Sequence, residues 1–423
     1  PTDDGVRWAL ACSLDCPLVT APVLDLALAR LAAIQDHLVA FRRDVHQNPE
    51  LSFAEHRTTT AVAEALADAG IKVTLLAGSG LVADLGAEHA AYRIALRADL
   101  DALALPERTH LPYASVVPGV AHACGHDVHV TVCLGAALAL AAVDEDLARC
   151  GLGVRVIFQP AEEVIPGGAL PICESDWLDD VDEIYAVHCD PTLDVGSIGL
   201  RVGPLTAAAD RVTVRLSGSG GHTSRPHRTH DLVFALGKVI TEVPAALGRR
   251  VDPRSSASLV WGSVEAGHAA NVIPESGSVS GTLRVLDAGA WDNAGALVEE
   301  LVTSAVAPYG VGVSIEHIRG VPPVINAVEA VDLLTEAAKL VGVDPVPTEQ
   351  SMGGEDFAWY LTKVPGAMAR LGTRMPGGPT FDLHQGDLVV DEASVAHGAR
   401  VLTAAVLSRR LPGGVVVGDG PDR

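Results

Sequence analysis

Apolar residues recur every three or four positions at Leu24, Leu28, Leu31, Ile34, Leu38 and Phe41. That is the period of a helix with one buried face, so an amphipathic helix is expected over 21–51. Residues 58–69 repeat the period and stop at Gly70, a residue suited to closing a helix. Short apolar runs at 73–76, 81–85 and 92–97, separated by turn residues, predict strands. A helix over 128–142 and a strand over 153–159 follow. Strands alternating with helices predict an α/β sheet covered on both faces.

The pattern changes near Gly203. Strands are expected at 209–217, 257–267, 279–286 and 311–319, with helices at 230–247 and 289–307. The order β-α-β-β-α-β is the ferredoxin-like unit. Helix and strand patterns then resume at 330–340, 356–361 and 367–371, and a helix closes the series at 392–407. One α/β unit over 23–202 and 321–412 is therefore expected to be interrupted by a smaller antiparallel unit over 203–320. Residues 1–22 are expected to form a poorly ordered leader, and 413–423 a tail.

Composition narrows the function classes. The 423 residues are 48% hydrophobic and 20% charged, enough for a large core. A net charge of −23 and no basic, aromatic-rich groove argue against nucleic acid and anionic membranes as partners. No run of 18 apolar residues predicts a membrane span. The first residues carry Asp3, Asp4 and Asp15 rather than a basic region before an apolar stretch. No signal peptide is expected, and the location expected is the cytoplasm. Of seven cysteines, Cys133, Cys150 and Cys173 are expected as buried thiols, and Cys12 and Cys16 as exposed.

The candidate chemistry lies in four places. His122-Ala123-Cys124-Gly125-His126-Asp127-Val128-His129 sets several metal-ligand types between a loop and a helix start. Packing alone does not explain such a cluster. Gln159-Pro160-Ala161-Glu162-Glu163 follows a buried strand, where α/β ligand sites form, and adjacent carboxylates can divide metal binding from proton transfer. His188 ends another predicted strand, and His384 stands far downstream. Asp99, after the run Ile94-Ala95-Leu96, is placed to orient a ligand histidine. A mixed Cys, His and Glu set suits zinc or a similar ion. Its size suits two ions about 3.5–4 Å apart. Ser217-Gly218-Ser219-Gly220-Gly221-His222 lacks the Lys and Ser/Thr of a phosphate loop, so no nucleotide site is expected.

Several segments together resemble the dinuclear-metal amidohydrolase family of aminoacylases, zinc carboxypeptidases and hippurate hydrolases. They are His46-Gln47-Asn48-Pro49-Glu50-Leu51, Arg97-Ala98-Asp99-Leu100-Asp101, the stretch from His122 to Asp127, Gln159 to Glu163, Gly221-His222-Thr223-Ser224, Asn271-Val272-Ile273-Pro274, Gly281-Thr282-Leu283-Arg284 and Gly354-Glu355-Asp356-Phe357. The branch most resembled contains indole-3-acetyl-amino-acid hydrolases and bacterial N-acyl-amino-acid amidohydrolases. The resemblance implies a metallopeptidase-type catalytic domain and a lid formed by 203–320. It implies Cys124, His126, Glu163, His188 and His384 as ligands of two divalent ions, with the Cys124 thiolate bridging. Zinc is expected first, with manganese or cobalt as alternatives. Glu162 is the implied general base, acting on a metal-bridged hydroxide, with Asp99 and His222 supporting catalysis. His222, Asn271 and Arg284 would bind substrate. The implied substrate is an N-acyl amino acid, and pairing of two chains through the lid is expected. The alternatives are a dipeptidase or carboxypeptidase of the same family, and an inactive ligand-binding homologue.

Overall fold

The expected 21–51 helix is two helices. Ile34 leaves the helical region (φ −106, ψ 5), separating α1 (Ala21–Ala33) from α2 (Gln35–Gln47). The break keeps Leu31 and Leu38 buried on either side of it, and both helices pack on α4. A single straight helix would drift its apolar stripe away from that surface.

The computed structural model describes residues 21–409. After the first two helices come α3 (His56–Asp68), β1 (Lys72–Leu75), β2 (Leu81–Gly86), β3 (Tyr92–Asp99), α4 (His126–Ala141), α5 (Asp144–Arg149), β4 (Leu152–Gln159), α6 (Ala169–Cys173), β5 (Glu183–Asp194) and β6 (Ser197–Leu200). The middle of the chain contributes β7 (Gly203–Thr206), β8 (Ala208–Ser217), β9 (Gly221–His222), α7 (Leu232–Arg250), β10 (Ser258–Ala266), β11 (Val272–Ile273), β12 (Ser276–Val285), α8 (Ala288–Val306) and β13 (Gly312–Val321). Then follow β14 (Val324–Asn326), α9 (Val328–Leu340), β15 (Asp344–Pro347), α10 (Ala358–Leu361), β16 (Gly366–Arg374) and α11 (Ala393–Ser408).

Eight strands form the main sheet in the order β1-β2-β4-β3-β5-β16-β6-β15. The central neighbours β4, β3, β5 and β16 run parallel, while β2 is antiparallel to β4 and β6 to β16. The sheet is mixed, as expected. Every residue of β3 and of β4 is buried, so both faces are covered. The most enclosed helix is α4. Residues His126 to Leu140 are all buried, and beyond the polar first turns the helix is apolar on every side. Gly135 makes this possible, since a Cβ there would stand 2.9 Å from Leu38 Cδ1 and 3.2 Å from Ala399 Cβ.

The inserted unit has the expected β-α-β-β-α-β order. Its antiparallel sheet runs β10-β12-β8-β13, with α7 and α8 packed on it through a core separate from the main one. Where the chain crosses between the units, β7 pairs antiparallel with β14. Of the predicted leader, Ala21 and Pro22 begin α1, and the remainder lies outside the described residues, as do Cys12, Cys16 and the 413–423 tail. Cys133 and Cys173 are buried free thiols. Cys150 is buried but disulfide-bonded, which corrects its reading as a thiol. No helix among the described residues is long and apolar enough to cross a membrane.

Candidate metal centre

The strand order places three loops together. β4, β3 and β5 are parallel neighbours, so Gln159 and Asp99 end adjacent strands and His188 lies on the third. This is the carboxyl edge where ligands bind in α/β sheets. The same edge receives the start of α4. Gly125 caps that helix with φ 86, and a Cβ at this position would fall 2.7 Å from Cys189 Sγ. Only glycine fits there, and the sharp entry brings Cys124 and His126 to the strand ends.

The five expected ligands converge. Cys124 Sγ lies 3.5 Å from His188 Nε2. Glu163 Oε1 lies 3.8 Å from His126 Nε2 and 3.3 Å from His384 Nε2. Candidate ligand atoms of Cys124, His126 and His188 lie within 4.8 Å of one another, and so do those of Cys124, Glu163 and His384. Hydrogen bonds aim the rings: His126 Nδ1 donates to the Asp101 carbonyl and His188 Nδ1 to the Cys189 carbonyl, both at 2.8 Å. Each Nε2 lone pair is thereby left for the centre. His126 Nε2 and Glu163 Oε1 are buried without a hydrogen-bond partner. Buried polar atoms are seldom left so, and the donor set is chemically fit for a borderline divalent ion. His384, with φ 60, joins through its own N–H, which donates to the Ala123 carbonyl at 2.8 Å. Its side chain is 53% exposed, so it marks the open side of the cluster.

Comparison with known proteins decides the family. Residues 95–408 match the model of peptidase family M20/M25/M40. The chain belongs to that family. An N-acetyl-L-cysteine deacetylase of Bacillus subtilis is 36% identical over 369 residues, 86% of each chain. A Rhodococcus jostii protein that bears a glutamate–cysteine ligase name is 47% identical over 370 residues; these are 87% of this chain but 46% of that protein's length. Among solved structures, a Bacillus subtilis protein described as a dinuclear metal binding peptidase of the M20 family superposes with a TM-score of 0.79 at 32% identity. The match covers 89% of this chain and 98% of that one.

Electrostatics in this M20 chain bear most strongly on Glu162 and on three of the ligand-type residues. Burial, then the carboxylates of Glu355, Glu163 and Asp356, push Glu162 well above the usual carboxylate range. Burial, then Arg370, holds His188 well below its ordinary value and so neutral. Burial pushes the Cys124 thiol well up. His126 moves up: burial opposes its charge, but Asp99, Cys124 and Asp101 together outweigh burial. Metal ligation requires a neutral imidazole and a thiolate, so binding is coupled to proton release.

Asp99 makes its hydrogen bonds outside the ligand-type set and keeps only a longer ion-pair contact with His126. Its Oδ1 accepts from His129 Nδ1 at 2.7 Å and its Oδ2 from Arg97 Nη1 at 2.7 Å, while His126 Nδ1 stays 3.8 Å away. His129 Nε2 accepts the Cys189 N–H at 2.8 Å. Asp99 therefore orients the strand that carries His188 through His129, a residue given no role from sequence. Arg97 also reaches Gln159 Oε1 and Asp356 Oδ1, at 2.9 and 2.6 Å. That network ties the Gly354-Glu355-Asp356-Phe357 motif beneath Glu162. Asp101 was legible as part of a motif, but its task was not. Its two oxygens accept the N–H groups of Glu162 and Glu163, each at 3.0 Å.

The expected substrate-binding residues stand apart from this cluster, on the inserted unit. His222 pairs in register with Val272, next to Asn271, and both His222 and Asn271 are exposed. Arg284 Nη1 donates to the Met352 carbonyl. None of the three has a hydrogen bond or ion pair to the five converging residues among the described contacts.

A second network adjoins the centre through Asp127, whose Oδ2 accepts from Arg42 Nε at 2.6 Å and from His46 Nδ1 at 2.9 Å. His46 Nε2 reaches Glu107 at 3.2 Å. Burial opposes ionisation of Glu107, but His46, the Thr109 hydroxyl and the Ser115 N–H bring its pKa down to about 2. Such a carboxylate stabilises the fold above its ordinary value of 4.5 and loses that contribution as pH falls towards 2. Glu107→Gln should lower the unfolding free energy by about 1–2 kcal/mol at neutral pH, a figure reduced for partial solvation. The gap between the two proteins should narrow as pH drops below 4.5. Urea titrations of both at neutral and acid pH measure it.

Proposed function

We propose that this M20 chain is a metal-dependent amidohydrolase that cleaves the amide bond of N-acyl amino acids in the cytoplasm. One observation carries the reading. A carboxylate with little exposure, Glu162, stands beside five converging ligand-type residues, and its Oε2 is 3.9 Å from His126 Nε2. Cys124, His126, Glu163, His188 and His384 would hold two divalent ions, zinc first and manganese or cobalt next, with Cys124 shared between them. Such ions, when bound, supply Lewis acidity and a water of lowered pKa.

The chain's own part is proton transfer and placement. Glu162 takes the proton of the attacking water and later delivers it to the leaving amine nitrogen as the C–N bond breaks. Its raised affinity for a proton suits that exchange. Glu163 on the next residue points into the ligand group, so the two carboxylates divide the work. The inserted unit acts as a lid in this reading. His222 would meet the oxyanion, and Asn271 and Arg284 the substrate carboxylate, once the unit closes and excludes water. Pairing of two chains along the exposed β10 edge, where Val260 and Val264 face outward, belongs to the same reading.

N-acetylcysteine is the first substrate to test, because a relative with 86% coverage on both sides is named for its deacetylation. A peptidase acting on free dipeptides or carboxyl-terminal residues is the second reading, favoured by the family's description and by the name of the superposed structure. Assays of N-acetylcysteine, other N-acetyl amino acids, long-chain N-acyl amino acids, hippurate and dipeptides separate them. The proposal predicts the highest kcat/KM among the N-acyl compounds. Turnover confined to dipeptides would overturn it.

A further inference from the structure

We propose that Glu55 is a positioning residue that sets the backbone from which Glu162 and Glu163 project; this rests on the roles just given to that pair. Glu55 is fully buried, and it lies 106 positions before the residue it holds. Its Oε1 accepts the N–H of Ala161 at 2.7 Å and that of Phe53 at 3.0 Å. Its Oε2 accepts the Ser79 hydroxyl at 2.6 Å. Glu55 immediately precedes α3, yet its side chain makes no cap bond to that helix. The carboxylate is spent on the loop instead.

The loop needs such a hold. Ala161 has φ 56, in the left-handed region that costs a non-glycine residue about 1 kcal/mol or more. That turn directs the chain away from the end of β4 and sends Glu162 and Glu163 towards His126. The Ala161 carbonyl accepts the Gly168 N–H at 2.8 Å, so both sides of the strained residue are fixed. The next two N–H groups end on Asp101. Three successive backbone donors, from Ala161 to Glu163, thus meet two buried carboxylates brought from distant parts of the chain. Removing Glu55 leaves the Ala161 N–H buried and unmatched, and the turn free to relax. A shift of even 1 Å in a proton-transfer group is costly to rate.

Three substitutions test this. Glu55→Ala should lower kcat by about 10–100-fold, the usual scale for removing support behind a site, with KM changed by less than about threefold. Glu55→Gln keeps an acceptor oxygen for the Ala161 and Phe53 N–H groups, and its amide can face a rotated Ser79 hydroxyl. It should restore kcat to within about threefold of the parent. Amide hydrogen exchange over residues 160–168 should speed up in Glu55→Ala and return to the parent rate in Glu55→Gln. Should Glu55→Ala fail to fold, Ser79→Ala leaves Oε2 one donor short. It should lower kcat by about threefold and raise the same local exchange. Parent-like kcat and exchange in Glu55→Ala, or in Ser79→Ala where that variant stands in for it, would overturn the inference, and so would a Glu55→Gln protein as impaired as Glu55→Ala. Exchange needs no substrate, so it decides the role of Glu55 even where the amidohydrolase reading fails.

Discussion

Glu162→Gln should reduce kcat by about 10²–10⁴-fold while the protein keeps its fold and its metal content. The substitution is nearly isosteric, and an amide can neither accept nor return the proton. Glu163 and the other converging residues are untouched. In the metal-free protein the same change should raise thermal stability at neutral pH. Burial and the carboxylates of Glu355, Glu163 and Asp356 all disfavour a charge at Glu162, so a neutral side chain relieves a cost that the native protein bears. A group whose folded pKa is raised opposes folding at pH values above its unfolded pKa, where the unfolded state is ionised and the folded state resists ionisation. Lower turnover joined to a higher melting temperature is the signature of a strained functional group. A thermal melt of the metal-free protein and a progress curve of the metal-loaded one check both halves. A variant with near-parent kcat would remove Glu162 from the chemistry.

Cys124→Ala should have the other large effect. Cys124 belongs to the group with His126 and His188 and also to the group with Glu163 and His384. Its loss therefore weakens both halves of the centre, where loss of His384 would strike one. Bound metal is expected to fall from about two ions per chain to less than one, and kcat by at least about 10³-fold. Cys189→Ala is the control. Its Sγ lies 3.6 Å from the Gly125 carbonyl and faces the helix entry rather than the ligand group. That variant should retain both ions and lose only packing energy. Elemental analysis of the two variants side by side separates a ligand from a neighbour.

The sequence carried the architecture because the periodicities were long and unmixed. The interruption of one α/β unit by a β-α-β-β-α-β insert was readable from apolar spacing alone, and the insert's strand order followed. The break at Ile34 was not readable, because apolar residues continue in helical register on both sides of it. Only packing of two segments on α4 decides that the axis must turn. The ligand-type residues were legible because unusual residue types cluster within a few positions. Their supports were not. Glu55, Arg97 and His129 act across separations set by strand order, and although Arg97 and His129 stood in visible motifs, nothing local told their tasks. The route from Asp99 to the ligand-type residues was hidden for the same reason. His126 and His129 both face that strand end, and only the three-dimensional placement shows that Asp99 serves His129 while the Asp101 carbonyl serves His126.

All of these roles depend on the five residues sharing bound metal. Crystals of the metal-loaded protein measured at the zinc absorption edge test this directly. Two anomalous peaks about 3.5–4 Å apart should appear, both about 2.3 Å from the Cys124 sulfur and between them reached by His126, Glu163, His188 and His384. Density free of anomalous signal among these side chains, or peaks bound elsewhere on the chain, would contradict it.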